Sequence, residues 1–431
     1  MDIYFYTLGC KVNQYETQAM MRLAEQEGYT AREFLLGKSK VEDGVIVINS
    51  CTVTGESDRK LRQLLRRCRR EHPRAVLVLC GCMPQAFPET AAAFEDVDIV
   101  LGNASRRDLL MQLHRFLATH ARVVDVTPHK ETFEALDICE FQGRTRAFVK
   151  IEDGCNRFCT YCIIPYARGR VRSRSLEDLK TELCALAQNG YTEVVLVGIN
   201  LTAYGQDIGL DISDAVACAC AVEGIERVRL GSLEPDHMTP ELIARLSQCE
   251  KLCPQFHLAL QSGCDATLKR MNRHYDTAHY RAVCEQLRAA FPDCALTTDV
   301  MVGFPDETEE EFEQSVAFVK SIGFSRLHCF AYSRREGTVA ARAKGQIPNA
   351  EKMRRNRRMI AVGEESCRQY AAALVGKTVT VLFETNEEDG CCIGYTDTYI
   401  PVVAEHAVPG RLASVYIDKS ENGICYGSLR L

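Results

Sequence analysis

The run Gly154-Cys155-Asn156-Arg157-Phe158-Cys159-Thr160-Tyr161-Cys162 follows directly on an apolar, strand-like stretch at 147–152. One loop must therefore bring three thiolates to one point at the end of a strand, and the rest of the fold has to allow it. The spacing C-x3-C-x2-C suits three corners of an iron–sulfur cube, which normally takes four cysteines. One iron would then stay open, and an open coordination position marks a reactive site rather than a structural one. A zinc knuckle needs a fourth ligand, yet no His or Cys follows Cys162 until Cys184, beyond an arginine-rich stretch. The spacing points to a cluster that binds and reduces a small molecule.

The first 120 residues repeat one pattern three times. Apolar runs at 3–8, 44–49 and 75–79 end at Gly9-Cys10, at Ser50-Cys51 and at Cys80-Gly81-Cys82, with helical patterns at 16–27 and 59–70 between them. Strands alternating with helices imply βαβ units and a parallel sheet, whose ligands bind outside the carboxyl ends of the strands. Each strand delivers a cysteine to that edge. Cys10, Cys51 and Cys82 form a second candidate triple, the alternative being three cysteines buried as small apolar residues. Cys80 continues its strand and reads as core, whereas Cys82 lies in the turn before Pro84.

The 431 residues carry 22 cysteines, no leader-like start and no apolar run long enough to cross a membrane. A cytoplasmic, reducing location and metal binding are expected, not a disulfide scaffold. The net charge of −6 does not suggest nucleic acid, but its distribution does: 59–74 and 144–174 are rich in Lys and Arg. Between 140 and 366 strands are expected at 147–152, 193–198, 227–231, 255–259, 295–302 and 326–332, with helices at 176–188, 240–247, 278–290 and 309–321. Thr308-Glu309-Glu310-Glu311 reads as a capping box opening the last. Six strands and their helices fit an open (βα)6 partial barrel with its site at the carboxyl ends. From 370 to 431, five short strands suggest a small all-β, OB-like barrel.

C-x3-C-x-aromatic-C, with Tyr161 as the aromatic, resembles the signature of radical S-adenosylmethionine (SAM) enzymes. That resemblance implies that the open iron chelates SAM and that an electron splits it into methionine and a 5′-deoxyadenosyl radical. Tyr161 would lie near the adenine. Gly198, Asn200, Ser232, Glu234 and Gln261, at successive strand ends, would line the cofactor.

Along its whole length the chain is similar to the methylthiotransferases, an α/β family. They have an N-terminal parallel-sheet domain (here 1–120) with an auxiliary 4Fe–4S cluster, a radical-SAM core (140–366) and a TRAM barrel (370–431). Arg229-Leu230-Gly231-Ser232-Leu233-Glu234-Pro235, Leu260-Gln261-Ser262-Gly263 and Val302-Gly303-Phe304-Pro305-Asp306-Glu307-Thr308 carry the resemblance. It assigns Cys10, Cys51 and Cys82 to the auxiliary cluster and Cys155, Cys159 and Cys162 to the SAM cluster. Leu8-Gly9-Cys10-Lys11-Val12-Asn13-Gln14-Tyr15-Glu16 looks like the branch that acts on threonylcarbamoyladenosine in tRNA, at position 37 beside the anticodon. The branches acting on isopentenyladenosine or on an aspartate of ribosomal protein S12 are the alternatives, and an iron–sulfur electron-transfer or scaffold protein a distant one. The resemblance implies that one SAM methylates sulfide at the auxiliary cluster. A second SAM starts the radical step that places a methylthio group on carbon two of adenine. Arg168, Arg170, Arg172 and Arg174 are candidate phosphate contacts for the anticodon loop. A low-potential electron donor is required; the sequence names neither it nor the sulfur source.

Overall fold

The computed structural model describes residues 1–136, 138, 140, 144–386 and 390–430; Leu431, the last residue of the expected third segment, lies outside them. The chain begins with six parallel strands: β1 (Asp2–Thr7), β2 (Thr30–Glu33), β3 (Val45–Ser50), β4 (Val76–Gly81), β5 (Ile99–Leu101) and β6 (Val123–Asp125), in the order β2-β1-β3-β4-β5-β6. The apolar runs became β1, β3 and β4. The other three are three or four residues long, too short for a period to be read.

Helix Lys11–Gln26 covers one face, placing Met20, Met21 and Ala24 on Ile3, Phe5, Val45 and Val47. Helix Gly55–Glu71 covers the other, placing Leu61, Leu64 and Leu65 on Ile46, Ile48, Leu77 and Leu79. Each such aliphatic side chain gains about 1.5–3 kcal/mol on burial. The second helix starts where Thr54 accepts a hydrogen bond from the Ser57 amide, with Glu56 and Asp58 facing its positive end. Between β1 and β3 the strand order reverses, which opens a crevice at their carboxyl ends.

The central part holds β7 (Ala147–Lys150), β8 (Glu152–Asp153), β9 (Arg172–Ser173), β10 (Glu193–Val197), β11 (Arg227–Leu230), β12 (Ser232–Leu233), β13 (Gln255–Leu258), β14 (Ala295–Val302) and β15 (Arg326–Ala331). Parallel pairing runs β7-β10-β11 and, past Gly231, β12-β13-β14-β15; β8 and β9 form a separate ribbon. Among the described residues β7 and β15 do not pair, so the barrel is open. Helices Leu176–Gln188, Ile212–Cys220, Pro240–Leu246, Thr277–Ala290 and Glu309–Ile322 lie between the strands in the sequence. The last has the expected reciprocal cap, Thr308 to the Glu311 amide and Glu311 to the Thr308 amide. Val12, Tyr15 and Ala19 of helix Lys11–Gln26 join the barrel core beside β7, so the N-terminal sheet and the barrel share apolar packing.

Helix Asn349–Ala372 leads into a closed barrel of β16 (Thr378–Asn386), β17 (Cys391–Thr396), β18 (Pro401–Glu405), β19 (Leu412–Glu421) and β20 (Ile424–Arg430), ordered β16-β17-β18-β20-β19. It docks at the amino ends of the central strands. Arg227 and Arg229 donate to the carbonyls of Thr380 and Asp397, both at 2.7 Å, and Glu193 balances Arg146 and Arg229 at 3.0 and 3.1 Å. The stacked rings of Tyr395 and Tyr399 cover Arg146.

Candidate active site

Gly81 ends β4 with φ +103°, and a Cβ there would stand 2.5 Å from the Ser50 carbonyl oxygen. Only glycine lets β4 turn so close to β3. Cys82, the first residue of the next short helix, thereby lies beside Cys51, and Cys10 follows β1 on the other side. The three thiols act on one another electrostatically: burial, with Cys82 and Cys10 adding to it, pushes Cys51 up to about 12. Cys80 is fully buried in the sheet core.

Beside Cys82 sits a group the sequence analysis placed elsewhere. Arg168, fully buried, donates from Nε to Cys82 Sγ at 3.2 Å. Its other nitrogens clasp both oxygens of Glu16, which also receives Arg106 at 2.5 Å and Lys150 at 2.9 Å. These cations hold the Glu16 carboxyl down at about 2 against its burial. Asp153 receives Lys150 at 2.6 Å and Arg172 at 3.6 Å, and Glu134 receives Arg106 at 2.9 Å. Four cations thus face three carboxylates, and the surplus positive charge lies against the triple. Arg168 closes the helix Ile164–Arg168 that begins two residues after Cys162, so the segment carrying one triple hydrogen-bonds a sulfur of the other.

At the second triple Gly154 has φ +93°, and an added Cβ would lie 1.9 Å from the Arg170 carbonyl oxygen. Burial and mutual repulsion push Cys155 and Cys162 up to about 12. Arg273 donates from Nη1 to Cys159 Sγ at 3.3 Å, from Nε to Tyr275 at 3.0 Å and from Nη2 to Glu234. Tyr161 packs edge-on to Phe304 at 6.3 Å within electrostatic reach of Arg273. Glu152 Oε2 accepts the Ile199 and Asn200 amides at 2.7 Å, beside Gly198, while Oε1 is buried without a hydrogen-bond partner. Gln261 is buried with φ +65° and its Oε1 likewise unpartnered, whereas Ser232 is exposed.

The structure overturns the phosphate assignment for three arginines. Arg168, Arg172 and Arg174 are buried: the first two serve Glu16 and Asp153, and Arg174 pairs with Glu182. A guanidinium consumed inside the protein has nothing to offer RNA. Only Arg170 is exposed, over the Phe158 ring at 5.0 Å. Arg273 and Glu152 went unnoticed in the sequence because neither belongs to a spacing pattern; proximity in space alone reveals them.

Burial favours the thiol form of Cys51 in one triple and of Cys155 and Cys162 in the other, while a guanidinium donates to Cys82 in the first and to Cys159 in the second. Such sites fit a group that brings positive charge and binds thiolates. Among the described residues every cysteine is a thiol. An open βα barrel with such a triple beyond its first strand defines a radical SAM enzyme. Three families match: the Uncharacterized protein family UPF0004 over residues 2–102, the Radical SAM superfamily over 149–319 and the TRAM domain over 372–429. The threonylcarbamoyladenosine tRNA methylthiotransferase MtaB of Bacillus subtilis is 39% identical, covering 97% of this chain and 94% of its own. Its Thermotoga maritima namesake is 35% identical over 91% and 89%, and the tRNA-2-methylthio-N(6)-dimethylallyladenosine synthase of Caldicellulosiruptor saccharolyticus 34% over 88% and 82%. The radical SAM methyltransferase TsrM of Kitasatospora setae shares the fold, with a TM-score of 0.60 at 13% identity over 79% of this chain and 77% of that one. This chain belongs to the radical SAM methylthiotransferases. No helix among the described residues is long and apolar enough to cross a membrane.

Proposed function

We infer that the protein transfers a methylthio group to carbon two of threonylcarbamoyladenosine next to the anticodon of tRNA. The observation that carries this is the pairing of the two triples, Cys10, Cys51 and Cys82 with Cys155, Cys159 and Cys162, through Arg168, in a chain 39% identical to a relative named for that nucleoside. Each triple would hold a 4Fe–4S cluster, and with SAM these groups supply the radical chemistry and the sulfur that polar substitution at an unactivated ring carbon cannot provide.

The residues around them have definite tasks. Arg168 and Arg273 each donate to a cysteine sulfur and stabilise its negative charge. Arg273 also fixes the Glu234 carboxylate, and Glu152 locks the backbone of Ile199 and Asn200 behind Cys155. Tyr161, Gly198, Asn200, Ser232, Glu234 and Gln261 are proposed to line SAM. Arg170, with Phe158 and Tyr166 exposed beside it, offers a cation and two rings on which a splayed loop base can stack. A low-potential donor supplies the electron.

The test is anaerobic incubation of the reconstituted protein with SAM, dithionite and an anticodon stem-loop, followed by nucleoside mass spectrometry. A methylthio product on threonylcarbamoyladenosine is expected. Product on isopentenyladenosine alone would move the protein to the other branch, and no release of 5′-deoxyadenosine would remove it from enzymes of this class.

A further inference from the structure

Lys11 follows Cys10 directly and is the first residue of helix Lys11–Gln26. A cation there opposes the positive end of the helix, so helix stability does not account for it. Its side chain is exposed, yet it stands within the opening of the barrel. On one side its Nζ lies 5.8 Å from the centre of the Phe148 ring, on edge strand β7. On the other, His328 of edge strand β15 is within its electrostatic reach. Arg146 and Arg229 act on it as well.

The carboxylates around it are already spent: three guanidiniums, Arg146, Arg227 and Arg229, share Glu193, with Glu384 beside the first. Asp299, on the strand beside His328, faces His257 at 3.4 Å. Among the described residues the Lys11 ammonium makes no ion pair or hydrogen bond, and stands over the Phe148 ring. An unmatched ammonium, reinforced by two neighbouring guanidiniums, selects an anion.

We propose that Lys11 anchors the substrate: its ammonium, in the gap between β7 and β15, receives the carboxylate of the threonylcarbamoyl group on the target adenosine. This rests on the threonylcarbamoyladenosine reading. The carboxylate belongs to the same base whose ring carbon receives sulfur, and Lys11 adjoins a cysteine of the auxiliary triple. A neutral isopentenyl group would leave the ammonium desolvated and unpaired. An RNA phosphate has the same charge, and the experiment separates the two.

Holoenzyme reconstituted anaerobically, as wild type, Lys11→Met and Lys11→Arg, is titrated by fluorescence anisotropy. The probes are anticodon stem-loops carrying threonylcarbamoyladenosine, its methyl ester or plain adenosine. The wild type should bind the acid about tenfold more tightly than the ester, the strength of one charge-assisted hydrogen bond. Lys11→Met should erase that ratio and Lys11→Arg keep part of it, with plain RNA bound alike by all three. Equal binding of acid and ester by the wild type overturns the proposal, and that comparison stands even if Lys11→Met does not fold. Equal weakening of all three RNAs by Lys11→Met also overturns it, since that is the mark of a phosphate contact. Methylthiolation of acid and ester with equal KM would overturn the anchor and leave the nucleoside reading intact; product on isopentenyladenosine alone would overturn that reading itself.

Discussion

Replacing Arg168 with Met removes a buried guanidinium while keeping most of its volume. Lost are two bonds to Glu16 and the Nε donor to Cys82 at 3.2 Å. Breaking a buried pair from one side typically costs about 3–5 kcal/mol. Glu16 keeps Arg106 at 2.5 Å and Lys150 at 2.9 Å, which places the loss near the lower end, about 3 kcal/mol. At about 2–4 °C per kcal/mol for a unit of this size, the melting temperature should fall by about 6–12 °C. The sulfur contact adds a second signature: iron at the Cys10, Cys51 and Cys82 site should load less completely, while iron at Cys155, Cys159 and Cys162 should not change. Calorimetry of the apoprotein and Mössbauer spectra of each reconstituted variant, in Cys51→Ser and Cys159→Ser backgrounds, separate the two effects. Normal melting with both sites equally loaded would refute this account of Arg168.

Cys51→Ser and Cys159→Ser should each lower reconstituted iron from about eight to about four atoms per chain, measured by colorimetric iron assay. Gly154→Ala must place a Cβ 1.9 Å from the Arg170 carbonyl oxygen, so it should abolish loading of the second triple and spare the first, as read in the same spectra. Burial pushes the Glu152 carboxyl up to about 8 from its ordinary 4.5. Folding then keeps a proton that the unfolded chain releases: this contribution is complete below about pH 4.5 and is lost as pH rises toward 8, by up to about 1.4 kcal/mol per unit. Glu152→Gln should flatten that decline in melting curves taken from pH 5 to 8.5, and an unchanged slope would reject the shift.

The architecture was legible because it rests on local periodicity. Apolar runs ending in cysteine became β1, β3 and β4, the cap at Thr308 formed as written, and five short strands closed a barrel. Spacing placed Cys155, Cys159 and Cys162 on one loop, because a short loop leaves few ways to separate its own residues. The arginines were misread for the same reason. A run of like charges looks the same in sequence whether it faces water or carboxylates brought from far along the chain. Glu16 lies 152 positions from Arg168 in the sequence, and no local rule links them.

What the sequence determined alone is the longer strands, β1, β3 and β4 among them, and the chemical class implied by Cys155, Cys159 and Cys162, each written within a single segment. What only the tertiary structure decided is which cations are spent inside and which stay available. Arg168, Arg172 and Arg174 are neutralised by partners from other segments, whereas Lys11 has no carboxylate brought to it. Charge pairing depends on distance through space, and chain folding alone sets that distance.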